Sequence, residues 1–203
     1  MPDTKQIIVT KALTLFMSLG YKEVSMSRLL KETGLSKGGF YHHFESKEDL
    51  FEEVSRQFFA TLDSGESYMP VQEKSFIENI NNWLDYRQRS FEIFADTTGK
   101  DTGPLNPFLF MMQAIRYLPG GRQQAEIYMY KQKRQIESII EIALQRNEMP
   151  ADLISSKLAD LMLSTFDGVQ LQGLLLSQSF ETLTREKQMA RMIYEGVKSQ
   201  ANH

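Results

Sequence analysis

One short run of the chain concentrates residue types that do chemistry: Gly34-Leu35-Ser36-Lys37-Gly38-Gly39-Phe40-Tyr41-His42-His43-Phe44-Glu45-Ser46-Lys47. Three chemistries compete for it. Gly34 to Gly38 spells G-x-S-x-G, the pattern of a hydrolase nucleophile elbow, but that elbow needs a strand before the serine and acid/base partners elsewhere. Here a helical pattern precedes Ser36, and beyond the motif the only histidine is the terminal His203. His42-His43 suggests a metal, yet adjacent helical residues point ~100° apart and cannot readily share one ion. Nor does a cysteine or a spaced acidic partner accompany them. The third chemistry is contact with nucleic acid. Ser36 and Lys37 open a helix whose free N–H groups and dipole favour phosphate. Gly38 and Gly39 let its first turn lie close to a ligand. Tyr41, His42 and His43 face outward with groups suited to phosphates and base edges.

The surrounding pattern supplies elements to hold such a helix. Ile8, Ala12, Leu15 and Leu19 trace one face of a first helix that ends at Gly20-Tyr21. Ser25 is placed to cap a second helix, with Met26, Leu29 and Leu30 inward. Gly34 then stops it, and Leu35 is set to fold back on Leu30. Ser36 caps a third helix carrying Phe40 and Phe44 on one side. Ser46-Lys47-Glu48-Asp49 has the capping-box pattern and leads into the Leu50, Val54, Phe58 stripe of a fourth. Beyond Asp63-Ser64-Gly65 the spacing predicts longer helices near 73–97, 107–117, 122–147, 151–178 and 184–199. Gly99, Gly103, Pro104, Pro107, Pro119-Gly120-Gly121 and Pro150 punctuate them. The fold class expected is therefore all-α: a three-helix helix-turn-helix domain over 1–50, then a larger helical domain over 51–203.

The segment from Gly34 to Leu50 resembles the DNA-binding signature of the tetracycline-repressor (TetR/AcrR) family of bacterial transcriptional regulators. That signature includes Gly-apolar-Ser-Lys-Gly, an apolar residue, Tyr, a variable residue, His or Tyr, Phe, then Ser/Asn-Lys before a Leu. The resemblance implies that Ser25 caps helix two and touches phosphate, and that Ser36, Lys37 and Gly38 meet DNA. It also implies that Tyr41 and His43 grip phosphates, that Lys47 reaches the backbone, and that His42 in the variable slot reads a base edge. Gly39 stands where Thr is frequent. Arg28 stands where an acidic residue is common, which forfeits a capping box and adds a possible phosphate contact. The family further implies a second domain that dimerises, through the helices near 151–178 and 184–199, and usually binds a small effector.

Composition sets the remaining bounds. The chain has 203 residues and no cysteine, which removes disulfides, thiolate metal sites and cysteine nucleophiles. No metal, cofactor or enzymatic activity is expected. The polar start Met-Pro-Asp-Thr-Lys-Gln and the lack of a long apolar run point to a cytoplasmic protein with no membrane segment. A net charge of -3 hides a local excess: within 25–47, Arg28, Lys31, Lys37 and Lys47 oppose only Glu32 and Glu45. The second domain is rich in aromatic residues and methionine. Most must be core, but Trp83, Phe110, Tyr128 and Phe166 are candidates to line an effector cavity, with the Thr97–Asn106 loop as its gate. Asp167, inside an apolar run, is expected to face solvent or an interface. The function expected is a repressor that binds a palindromic operator as a homodimer and is released by a small apolar or aromatic ligand. The alternative is a DNA-binding regulator without an effector, controlled by a protein partner.

Overall fold

The computed structural model describes residues 3–63, 68–96, 107–176 and 181–200. Among them the regular structure is entirely helical: α1 Thr4–Leu19, α2 Met26–Thr33, α3 Lys37–Tyr41, α4 Lys47–Asp63, α5 Phe76–Asp96, α6 Pro107–Tyr117, α7 Gly121–Gln145, α8 Ser155–Leu175 and α9 Thr182–Gln200. They form two compact units, residues 1–65 with 90–126, and residues 66–89 with 127–203. The expected boundary at residue 50 falls within α4, the helix expected to link the two domains from Ser46 onward. The whole of α4, together with α6, belongs with the N-terminal helices, because α4 lays its stripe of Leu50, Phe51, Val54 and Phe58 into their core.

In the first unit the caps form where the residue types demand them. Ser25 Oγ accepts from Arg28 N at 3.2 Å, Ser36 Oγ from Gly39 N at 3.1 Å, and Ser46 Oγ from Asp49 N at 3.0 Å. The reciprocal bond of the Ser46 box is displaced by one residue, since the Asp49 carboxylate accepts from Glu45 N. Gly34 is left-handed at φ 72. With Leu35 N donating to Leu30 O and Gly34 N to Lys31 O, it completes a Schellman stop. Ile8, Ala12, Leu15 and Phe16 of α1 are buried, whereas Leu19, expected inward, is 37% exposed at the helix end. α3 is shorter than its pattern predicts: it stops at Tyr41, so Phe44 reaches the core from the turn that follows. Aromatic edges knit the interior, with Phe16–Phe51 centroids 5.1 Å apart and Phe58–Phe110 4.7 Å apart.

The second unit packs Phe76, Ile80, Trp83 and Leu84 of α5 against Ile136, Ile139 and Ile140 of α7 and Leu158, Met162 and Phe166 of α8. α5 starts later than expected, at a box in which Glu78 N donates to Ser75 Oγ and Ser75 N to the Glu78 carboxylate. α7 ends on Asn147, which takes the left-handed role at φ 56. The helix expected over 151–178 begins at Ser155 instead, because residues 150–154 close a turn, with Leu153 N donating to Pro150 O.

Candidate nucleic-acid interface

Ser25 and Ser36 each hold a helix start, so their hydroxyls are already engaged as cap acceptors. What each helix end still presents outward is backbone N–H, the groups that bind phosphate at helix starts. Ser25, Arg28, Ser36, Lys37, Gly38, Tyr41 and His42 are all exposed, and His43 and Lys47 are half-buried. α2, α3 and the turn after α3 thus bring the expected residues onto one headpiece. Phe40, beneath them, is fully buried and fixes the roll of the short helix.

Three details shape this edge. The Lys37 ammonium lies 5.9 Å from the centre of the Tyr41 ring, which steers the phenol and the cation together. The rings of His42 and His43 meet edge-on at 5.1 Å. That is an edge-to-face ring contact, and no group of three metal-binding side chains occurs among the described residues. Gly38 is the third. A Cβ there would meet nothing within 4 Å, and its φ is not left-handed. Neither packing nor backbone strain accounts for glycine at this position.

Lys47 has a different employment from the one its resemblance implies. Its Nζ donates to the carbonyls of Tyr21 and Val24, each at 3.0 Å. It also sits 4.3 Å from the centre of the Tyr21 ring. Burial, opposed by the neighbouring Glu48 charge and aided by Lys22, holds its pKa below the usual lysine value. Two of its three donors thus tie the α1–α2 turn to the start of α4; hydrogen bonds from a charged donor are worth about 1.5–3 kcal/mol net.

Tyr21, which the sequence marks only as part of a helix stop, is the centre of this junction. It is 4% exposed, stacks on Phe51 at 4.3 Å and donates its hydroxyl to Glu48 Oε1 at 2.7 Å. Burial, then that bond, raises the phenol pKa, while the same bond is the main cause that keeps the Glu48 carboxyl below its ordinary value. The Tyr21 backbone N–H donates to Gln113 of α6, and its ring lies 5.2 Å from Tyr117. One residue therefore joins the α1–α2 turn, α4 and α6. Its partner Gln113 is 92 positions away, beyond the reach of any local spacing rule.

The aromatic candidates do not form one group. Trp83 and Phe166 are fully buried in the second unit with ring centres 6.0 Å apart, and Tyr128 is half-buried there. Phe110 belongs to the first unit, packed on Phe51 and Phe58. An open cavity of about 880 Å³ in the second unit is lined by Ile154, Leu158, Leu161 and Val197 among others, and by none of the four. The expected Thr97–Asn106 gate lies outside the described residues. Asp167 is not simply solvent-facing: it accepts from Arg87 Nη2 at 3.0 Å, and Glu186, 2% exposed, stands 3.9 Å from the same nitrogen. The signal for this cluster was an acid in an apolar run; its cationic partner is 80 positions away.

Residues 8–54 match the family described as bacterial regulatory proteins, tetR family. Over 95% of this chain and 88% of the relative, it is 22% identical to the HTH-type transcriptional regulator AcrR of Shigella flexneri. Over 43% of this chain and 44% of the relative, it is 30% identical to the HTH-type transcriptional repressor AcnR of Corynebacterium glutamicum. Among solved structures, the TetR family transcriptional regulator PfmR from Thermus thermophilus aligns with a TM-score of 0.67 at 20% identity, covering 96% of this chain and 97% of that one.

Proposed function

We propose, from the match of residues 8–54 to the tetR family and the likeness to its members over most of the chain, that this chain is a DNA-binding transcriptional regulator of that family, a homodimeric repressor released from a palindromic operator by a small effector. The observation that carries the reading is the exposed edge of Ser36, Lys37, Gly38, Tyr41 and His42 on a helix whose far side, Phe40, is locked in the core. In a two-fold dimer, two such helices enter successive major grooves when they stand ~34 Å apart. Arg28, Lys37, Tyr41 and His43 supply phosphate contacts, and His42 reads a base edge. Lys47 acts through the α1–α2 turn that it holds.

An effector shifts such a protein only by its differential affinity for the DNA-competent and released arrangements. Within the first unit, Tyr21 supports α4 as the lever, because any displacement of α6 relative to α4 must disturb Gln113, Tyr117, Glu48 or Phe51 around it. The site of action is the cytoplasm, where its operator DNA is found. No described helix is long and apolar enough to cross a membrane.

The test is binding of the purified protein to DNA from upstream of its own gene and to unrelated DNA of equal length, at two salt concentrations. Preferential binding that protects a palindrome, with log K falling linearly with log salt, is the expected result. Equal affinity for all DNA, including sequences selected from a random pool, overturns the operator reading.

A further inference from the structure

We propose that the Arg87–Asp167–Glu186 cluster of the second unit is the polar anchor of an effector site, and that it takes a neutral aromatic or apolar molecule through a carbonyl oxygen. This rests on the effector reading above and gives it a ligand chemistry. Arg87 is 7% exposed. Its Nη2 serves Asp167 at 3.0 Å and lies 3.9 Å from Glu186 Oε1, which itself accepts from Gln170 Nε2 at 3.0 Å. Its Nε and Nη1 are buried and have no hydrogen-bond partner among the described residues. Buried donors without acceptors are uncommon in folded proteins, and each calls for an explanation.

The unmet need is for acceptors, which fixes half of the ligand's chemistry. Charge fixes the other half. Two carboxylates face one guanidinium, so the cluster already leans negative, and burial raises the pKa of both acids. A carboxylate ligand would bring a further negative charge against Asp167 and Glu186. An ammonium ligand has no acceptor and would leave Nε and Nη1 as they are. A neutral carbonyl, as in a ketone, quinone, lactone or amide, meets both conditions.

The neighbours define the rest of the molecule. The Trp83 ring lies 5.7 Å from the Arg87 guanidinium carbon, and Phe166 flanks Trp83. The Tyr128 hydroxyl, its pKa raised to about 12 chiefly by burial, feels the charges of Arg87 and Asp167. Asp167 keeps 23% of its side chain exposed, whereas the two free donors are buried, so a ligand reaches them from the Asp167 side as the packing around Arg87 opens.

Four probes with one ring body test the assignment by calorimetry: 2-acetylnaphthalene, 2-ethylnaphthalene, 2-naphthoate and 2-naphthylmethylammonium. The indole N–H resonance of Trp83, the chain's single tryptophan, reports whether each reaches the site. The ketone should bind about tenfold more tightly than the other three and shift that resonance. A triple variant, Arg87→Met with Asp167→Asn and Glu186→Gln, removes all three charges together and strands none of them. It should bind ketone and hydrocarbon alike while keeping its helical circular dichroism. Equal affinity for ketone and hydrocarbon in the parent protein, tightest binding of the naphthoate or the ammonium probe, or no shift at Trp83 each overturns the anchor. Adding the probes to the operator complex separates the two readings. If the ketone binds at Trp83 and the DNA stays bound, the effector reading fails and the anchor stands. If ketone and hydrocarbon release DNA equally, the anchor fails and the effector reading stands.

Discussion

Gly38 carries the most information for its size. Glycine near a helix start costs about 0.5–1 kcal/mol relative to alanine, and the protein interior gives nothing back, since a Cβ there would meet open space. The cost is offset only if something outside the protein must come close to the backbone. Gly38→Ala should therefore leave the melting temperature unchanged or raise it slightly, yet weaken operator binding by about tenfold through lost near-contact at the phosphates. Thermal melts and a DNA titration of the same preparation check both halves. Retention of full affinity would show that the first turn of α3 stands off from DNA. Lys47 teaches the complementary lesson. Its type and position point outward, but two loop carbonyls and the Tyr21 ring claim its ammonium, and no spacing rule shows a contact with a turn more than 20 positions earlier.

At the scale of elements, the starts and stops were legible because each is a local bargain between a side chain and two or three backbone groups. Ser25, Ser36 and Ser46 cap, and Gly34 stops, with partners at most five positions away. Where the expectation slipped, a turn had competed with a helix: Pro150 and Leu153 close one before α8, and the chain leaves α3 at His42. The α6–α7 junction holds a tertiary constraint within a local signal. Pro119-Gly120-Gly121 reads simply as a break, but the two glycines differ. A Cβ at Gly120 meets nothing, whereas one at Gly121 would lie 2.0 Å from the Ala114 carbonyl oxygen and 2.4 Å from its carbon. Backbone cannot yield as a flexible side chain can. Gly121→Ala should lower stability by about 2–4 kcal/mol, while Gly120→Ala should change it by less than about 0.5 kcal/mol. Chemical denaturation of the pair is the check, and equal midpoints would mean that the junction has room to shift.

For the whole molecule, the helices of the headpiece were more legible in the sequence than the rest, because the proposed DNA-binding edge is built from adjacent positions whereas the Arg87 cluster and the Tyr21 junction are assembled across 80 and 92 positions. Dimerisation lies between these cases. α8 turns Leu158 and Val169 into the core and leaves Leu161 and Gln172 exposed. Leu161, Ser164, Leu171 and Leu175 stay outside, in a row spaced three and four apart through the half-buried Gly168, with Leu175 72% exposed and Leu161 53%. Met192 on α9 is also 63% exposed. Apolar side chains in such a row fit a two-fold contact with a second copy, in which every residue is presented twice. Leu175→Glu and Leu161→Glu should each cost the isolated fold within about 0.5 kcal/mol, as surface substitutions do. In the proposed dimer each places two carboxylates against an apolar seam. Sedimentation should then show monomers, and operator affinity should fall by about 10²-fold or more, because the second half-site no longer binds at high effective concentration. Affinity for non-specific DNA should fall far less. Variants that stay dimeric and keep their operator affinity would move the interface to another face of the chain.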